Sequence, residues 1–499
     1  MSLKKLAGET AIYGLSSIVG RILNFVLVPL YTAALPPGDY SIVLNLFPFA
    51  GIVMVFFTHR MELAYFRFGT ENQQEEHRSF NAAIFSVIFS TAILGLLALV
   101  FSSTISGWLG YLEYSNLFRI LMVIVIIDAL SEIPYAKLRL EQRPIRFATI
   151  RLTTIGLNIG LNLFFLLFCP YALQSDAWSF LHPFLNLVYN EEALVAYIFI
   201  SNLIGNSIGF LLLSPTLFRI RWREFDLAIW KKMFRYALPL LVVGISYLLN
   251  ETFDRLAMPR LLAGTLEENK IQLGIYGACY KLTMFLTLFT QAFRYGAEPF
   301  FFRQKTAENA KEIYANVAKF FSIIGAIGFL SVLLYLDILK PLFLRQEIYW
   351  EGIGVVPILL LANLFLGIYY NLSIWYKLTD QTKWGAYISI FGAVLTVVLN
   401  IIFLPIFGYF AAAWITFLCY FMMMVVSYWL GQRKYSVPYE VRKITFYIVV
   451  AVAMYGLSEW VRSSLNENLW GILGVNTLIL LLYLSFIYER EKKAIRQFF

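Results

Sequence analysis

The segment YSIVLNLFPFAGIVMVFFTHRMELAYFR (Tyr40–Arg67) can be laid without a gap on YGACYKLTMFLTLFTQAFRYGAEPFFFR (Tyr276–Arg303), so that Tyr40 meets Tyr276, Phe57 meets Phe293, Glu62 meets Glu298 and Arg67 meets Arg303. Each copy is an apolar run long enough to cross ~30 Å of hydrocarbon. Upstream, LVPLYTAAL lies over AMPRLLAG and pairs Pro29 with Pro259. Downstream, Lys137-Leu138 corresponds to Lys377-Leu378, and Asn162 to Asn400 after a two-residue adjustment. Matches in the same order along both halves mark an internal duplication.

The rest of the chain reads the same way. Its 499 residues are 60% hydrophobic, 17% aromatic and only 14% charged, with a mean hydropathy of +0.69. Soluble domains carry about 25% charged residues, so a water-soluble enzyme, a nucleic-acid binder and a disordered chain are excluded. Apolar runs centred near 22, 53, 90, 125, 158, 204, 248, 286, 325, 365, 393, 419, 452 and 478 predict about fourteen spans. The first, with Arg21 in its middle, is too long for a signal-peptide core and reads as a retained helix. No segment alternates at period two over the ~10 residues a barrel strand needs. The expected fold is therefore an all-α polytopic membrane protein of about 14 transmembrane helices. Two six-helix bundles (1–215 and 233–430) are followed by two additional helices (440–489). Six is even, so the repeats share one orientation, an organisation suited to halves that rock about a central cleft.

The net charge of +9 is distributed unevenly. With the N-terminus inside, the inner loops hold Lys4 and Lys5, Arg67 and Arg78, Lys137 to Arg146, Arg219 to Lys232, Arg303 to Lys311, Lys377 and Lys383, Arg433 to Lys443, and Arg490 to Arg496. The outer loops carry only Arg260, Lys270, Lys340, Arg345 and Arg462. This asymmetry places both termini in the cytoplasm and explains the basic balance without nucleic acid. Cys169, Cys279 and Cys419 are too dispersed for a disulfide framework or metal site. No phosphate-binding loop, HExxH or nucleophile elbow is present, so neither an enzyme nor a cofactor is expected.

Ionisable side chains within the spans each cost ~2.5–3.5 kcal/mol at mid-helix and therefore mark cavities or partners. Arg21 and Lys281 lack a local acid and are candidate ligands for an anionic substrate, with Arg255, Arg60 and Arg294 beside them. Glu251 with Arg255, and Arg294 with Glu298, are i,i+4 pairs that can neutralise each other. Arg151 and Lys319 sit near the inner interface, where snorkelling is the expected state. Asp128 and Glu132, like charges one turn apart, are candidates for proton coupling, with pairing to a neighbouring Arg the commoner explanation. Intramembrane amides such as Asn158, Asn162 and Asn202 are expected to bond helix to helix.

A set of short motifs then carries a resemblance: Gly274, Tyr276 and Lys281; Phe293 and Pro299; Asn400, Pro405, Gly408, Ala411 and Ala412. Over about residues 5–430 the chain resembles the polysaccharide or O-antigen flippase branch of the multidrug/oligosaccharidyl-lipid/polysaccharide exporter superfamily. The first half departs from that pattern at Ser41 and in an outer insertion from about Cys169 to Glu192. The resemblance implies a multi-pass protein of the bacterial inner membrane that turns an anionic, polyprenyl-diphosphate-linked oligosaccharide across the bilayer. It also implies membrane lipid around it, and a polysaccharide polymerase and glycosyltransferases as functional partners. Proton or sodium coupling stays open as the drive. A multidrug/cation antiporter of the same superfamily and a peptidoglycan lipid precursor flippase remain alternatives.

Overall fold

The computed structural model describes residues 19–20, 22, 25–70, 73–217, 220, 224–463 and 468–498. Among the described residues the regular structure is helical, with no strand. The helices include α1 (Val28–Ala34), α2 (Pro37–Thr58), α3 (Met61–Phe68), α4 (Gln73–Val100), α5 (Ser115–Leu140), α6 (Pro144–Leu163), α7 (Leu194–Leu217) and α8 (Leu227–Leu261). They continue as α9 (Leu266–Leu282), α10 (Met284–Gln304), α11 (Ala310–Leu334), α12 (Val356–Leu372), α13 (Ile374–Leu378), α14 (Lys383–Phe407), α15 (Tyr409–Lys434), α16 (Val441–Arg462) and α17 (Leu469–Phe498).

Among the described residues eleven helices are long and apolar enough to cross a membrane, or twelve if α9 and α10, bent by 47° about Thr283, count as one. The chain is thus a multi-pass membrane protein. The sequence expectation of about fourteen is approached rather than reached, for two physical reasons. Helix α5 has the length, at 26 residues, but carries Arg119, Asp128, Glu132, Lys137 and Arg139. The first expected span falls largely outside the described residues.

Two compact units divide the chain: one running to Gly277 and taking in Thr396–Tyr409, the other formed by Ala278–Leu395 and Phe410–Phe499. In the first unit, α6 and α7 pack closely because Gly205 and Gly209 present no side chain to Thr154. A Cβ on Gly205 would lie 2.9 Å from the Thr154 carbonyl oxygen, and one on Gly209 would lie 2.4 Å from its hydroxyl. Such small-residue spacing substitutes for hydrophobic drive where lipid is the solvent. An amide ladder crosses the same interface. Tyr31 Oη donates to Asn162 Oδ1 (3.1 Å), Asn162 Nδ2 to Asn158 Oδ1 (2.6 Å), and Asn158 Nδ2 to Asn202 Oδ1 (2.9 Å). The outer insertion folds into short helices, including His182–Val188, around stacked rings of Tyr189, Tyr197 and Phe165.

In the second unit, α16 and α17 are pinned to α11 by polar contacts. Lys319 Nζ lies 2.6 Å from Glu440 Oε1 and 3.3 Å from Glu491 Oε2, and Asn476 Nδ2 donates to the Leu334 carbonyl at 2.6 Å. The expectation that Lys319 snorkels is therefore corrected: its ammonium is buried between two carboxylates supplied by the final helices. The same contacts tie those helices firmly to their unit.

The two aligned stretches share one backbone feature. Helix α5 ends in a turn with Gln142 at φ +55°, and α13 ends in one with Asp380 at φ +56°. Asp enters this left-handed region more readily than Gln does, and both turns place the left-handed residue just after the helix end, following Lys137 and Lys377. The copies also differ. Helix α2 stops at His59 and Arg60, both with positive φ (33° and 59°), whereas the equivalent residues of α10 continue as helix.

Candidate functional site

The motif residues are largely explained by close packing. In the first unit, a Cβ on Gly274 would stand 2.0 Å from the Pro37 carbonyl oxygen, so α9 approaches the start of α2 only because residue 274 has no side chain. Tyr276 is fully buried and donates to Asp254 Oδ2 at 2.6 Å. Asn400 donates to the Thr396 carbonyl (2.8 Å), and Gly408 adopts φ +65°, which ends α14. In the second unit, Phe293 packs on Phe321 with centroids 4.6 Å apart.

Arg21 lies outside the described residues. Arg255, on α8, is buried and its Nε sits 3.6 Å from Asp254 Oδ1, while Nη2 donates to the Glu251 carbonyl. The expected Glu251–Arg255 carboxylate pair is thus replaced: Glu251 offers its backbone, and Asp254, held by Tyr276, offers the charge. Asn45 Nδ2 donates to the Arg255 carbonyl at 2.8 Å and ties α2 to this point. Arg60 lies 3.6 Å from Glu62 and packs over Gly244, where a Cβ would come within 2.4 Å of its guanidinium. Lys281 is half-buried near the end of α9.

Asp128 and Glu132 do not face a common partner. Asp128 Oδ1 accepts from Asn206 Nδ2 on α7 at 2.8 Å, one helical turn beyond the amide ladder, and Glu132 lies 3.8 Å from Arg139. Arg151 sits over the Tyr135 ring at 5.4 Å.

In the second unit, Arg294 pairs with Glu298 at 3.7 Å as its i,i+4 spacing predicts. Sequence reasoning missed two neighbours. Lys377, read as an inner-loop charge, places Nζ 2.6 Å from the same Glu298 oxygen, and Tyr370 underlies the Arg294 guanidinium at 4.0 Å. The signal that could have found Lys377 was its repeat match to Lys137.

Two apolar grooves lie apart from these cations. One, of about 770 Å³, runs between α4, α5 and α7 in the first unit, and the other, of about 490 Å³, lies between α12, α15 and α16 in the second. Neither is lined by a charged side chain. Among the described residues no cluster of His, Cys, Asp and Glu could hold a metal.

The sequence family described as polysaccharide biosynthesis protein matches residues 6–293, and MatE matches residues 257–402. No curated protein sequence matches. Among solved structures, the lipid II flippase MurJ in an inward closed conformation is 13% identical, with a TM-score of 0.71 over 96% of this chain and 99% of that one. An inward-facing multidrug resistance MATE family transporter of the MOP superfamily is 16% identical, with a TM-score of 0.62 over 83% of this chain and 94% of that one. An outward-facing conformation of such a transporter gives 15% identity and a TM-score of 0.55 over 86% and 95%. These likenesses concern the fold.

Proposed function

Because the chain belongs to the polysaccharide biosynthesis protein family of the multidrug/oligosaccharidyl-lipid/polysaccharide exporter superfamily, we propose that it flips a polyprenyl-diphosphate-linked oligosaccharide across the bacterial inner membrane. The observation that carries this reading is the family match, which covers more than half of the chain. Intramembrane cations supply the chemistry. A diphosphate leaving water needs compensating charge, and arginine offers two parallel N–H donors to phosphate oxygens. Arg21, Arg255, Lys281, Arg60 and Arg294 are the proposed contacts, while the polyprenyl tail stays in lipid. The protein works as a transporter by alternating access, not as an enzyme, with repeats 1–215 and 233–430 as its moving halves and 440–489 as an addition. Both termini are cytoplasmic in this reading.

Asp128 and Glu132 are proposed to couple transport to protons, since Asp128 is an intramembrane carboxyl whose Oδ1 accepts from the neutral Asn206 amide on the neighbouring helix. The polymer's glycosyltransferases and polymerase act before and after the flipping step. The MatE match over 257–402 favours a second reading, a multidrug or cation antiporter. The fold shared with a lipid II flippase keeps a peptidoglycan precursor in view as cargo.

Deletion of the gene in its host separates these readings. The expected result is loss of a surface polysaccharide, accumulation of lipid-linked oligosaccharide on the cytoplasmic face and unchanged resistance to cationic drugs. Drug sensitivity with normal surface polymer would favour the antiporter, and lysis with accumulated peptidoglycan precursor would favour the other flippase.

A further inference from the structure

We propose that Arg294 and Lys377, with Tyr370 beneath the guanidinium, form a phosphate subsite in the second compact unit, and that Glu298 is its resident counter-ion, displaced when an anionic ligand arrives. The proposal rests on the flippase reading for the identity of that ligand, a prenyl diphosphate.

The charge balance is uneven. Both cations converge on one carboxylate oxygen: Lys377 Nζ lies 2.6 Å and Arg294 Nη2 lies 3.7 Å from Glu298 Oε1. Two positive charges therefore share one negative charge, and only the lysine is within hydrogen-bond distance. Arg294 Nε is buried and has no acceptor among the described residues, so the guanidinium has donors left to give. A diphosphate offers several oxygens on adjacent phosphorus atoms and can engage the arginine fork and the ammonium together, which one carboxylate oxygen cannot.

The site is accessible and rigidly backed. The Arg294, Glu298 and Lys377 side chains retain 37%, 41% and 26% of their exposure, in contrast to Lys319, whose 4% leaves no room for a ligand. Behind them Ala297 and Phe301 pack with Ile374 and Leu378 in one buried apolar cluster. The helices therefore stay together when the ion pair opens. Tyr370 fixes the guanidinium plane through a cation–π contact at 4.0 Å. The first repeat lacks this arrangement, with Thr58 at the position of Arg294 and Leu130 at that of Tyr370.

A counter-ion that must be displaced weakens resting affinity and helps expel the ligand after transport, because it competes for the same cations. Binding of farnesyl diphosphate to the purified full-length protein in detergent, measured by calorimetry beside dihexanoyl phosphatidic acid, tests this directly. Glu298→Gln should tighten farnesyl diphosphate binding by about fivefold, the scale of an exposed ion pair removed. A gain cannot come from misfolding. Arg294→Gln and Lys377→Gln should each weaken binding by about tenfold or more, with phosphatidic acid the poorer ligand throughout. Binding that is intact in all three variants would overturn the subsite and leave the flippase reading standing. Equal or tighter binding of phosphatidic acid would overturn the substrate assignment. No diphosphate binding by any protein, wild type included, would remove the subsite and the flippase reading together.

Discussion

Lys137 and Lys377 occupy matching places in the two repeats, each shortly before a left-handed turn residue, yet their surroundings are opposite in kind. Lys137 is sealed: its side chain keeps 5% exposure, its ammonium lies 3.3 Å from Glu76 and 3.9 Å from Glu141, and the Phe80 ring covers it at 4.1 Å. Tyr65 donates to Glu76 at 2.8 Å and completes the cage. Lys377 keeps 26% exposure and shares Glu298 with Arg294. Glu62, the repeat equivalent of Glu298, pairs with Arg60 instead. Duplication has preserved the backbone site and reassigned its charge. One lysine is enclosed by two acids and an aromatic ring, and the other shares one acid with an arginine and stays partly exposed.

The largest expected effect falls on the sealed lysine. Lys137→Met strands two carboxylates and should destabilise the first unit by about 3–5 kcal/mol, seen as a lowered unfolding midpoint in detergent. Lys377→Met should leave that midpoint nearly unchanged, within ~1 kcal/mol, while reducing surface polysaccharide in complemented cells by about tenfold. If the two variants lose stability equally, the contrast between the sites fails.

Asp128→Asn keeps the Asn206 contact geometry but removes the titrating group. Transport by this variant should respond less to collapse of the proton gradient, whereas Glu62→Gln should respond as wild type does; an unchanged response in Asp128→Asn would discard the coupling role. The smallest effect concerns the shared turn. Gln142→Gly and Asp380→Gly each relieve a left-handed residue and should raise stability by up to about 1 kcal/mol. A loss at either position would show that the turn is not the strained feature common to both repeats.

Much of this was legible in the sequence because bilayer thickness dictates span length and the duplication supplied internal comparison. The helical class and the Arg294–Glu298 pair follow from hydropathy and helical spacing alone. The side-chain partners were harder. The sequence around Lys319 predicts snorkelling, because Glu440 and Glu491 lie far downstream and carry no local signal. Spacing pairs Arg255 with Glu251, but Tyr276 holds Asp254 beside the guanidinium, a constraint only the packed helices reveal. Lys377 was hidden among the basic residues that set topology, since charge for orientation and charge for binding use the same residue types.

The most direct test of the proposed function is translocation in proteoliposomes containing the purified protein and a labelled polyprenyl-diphosphate-linked oligosaccharide, read by enzymatic access to the sugar on the far leaflet. The expected result is protein-dependent exposure of the sugar that is lost in Arg255→Gln and Lys281→Gln at unchanged incorporation. Exposure that proceeds equally without protein, or that survives the combined replacement of Arg21, Arg255 and Lys281 by Gln, would contradict the assignment of these cations to the substrate diphosphate.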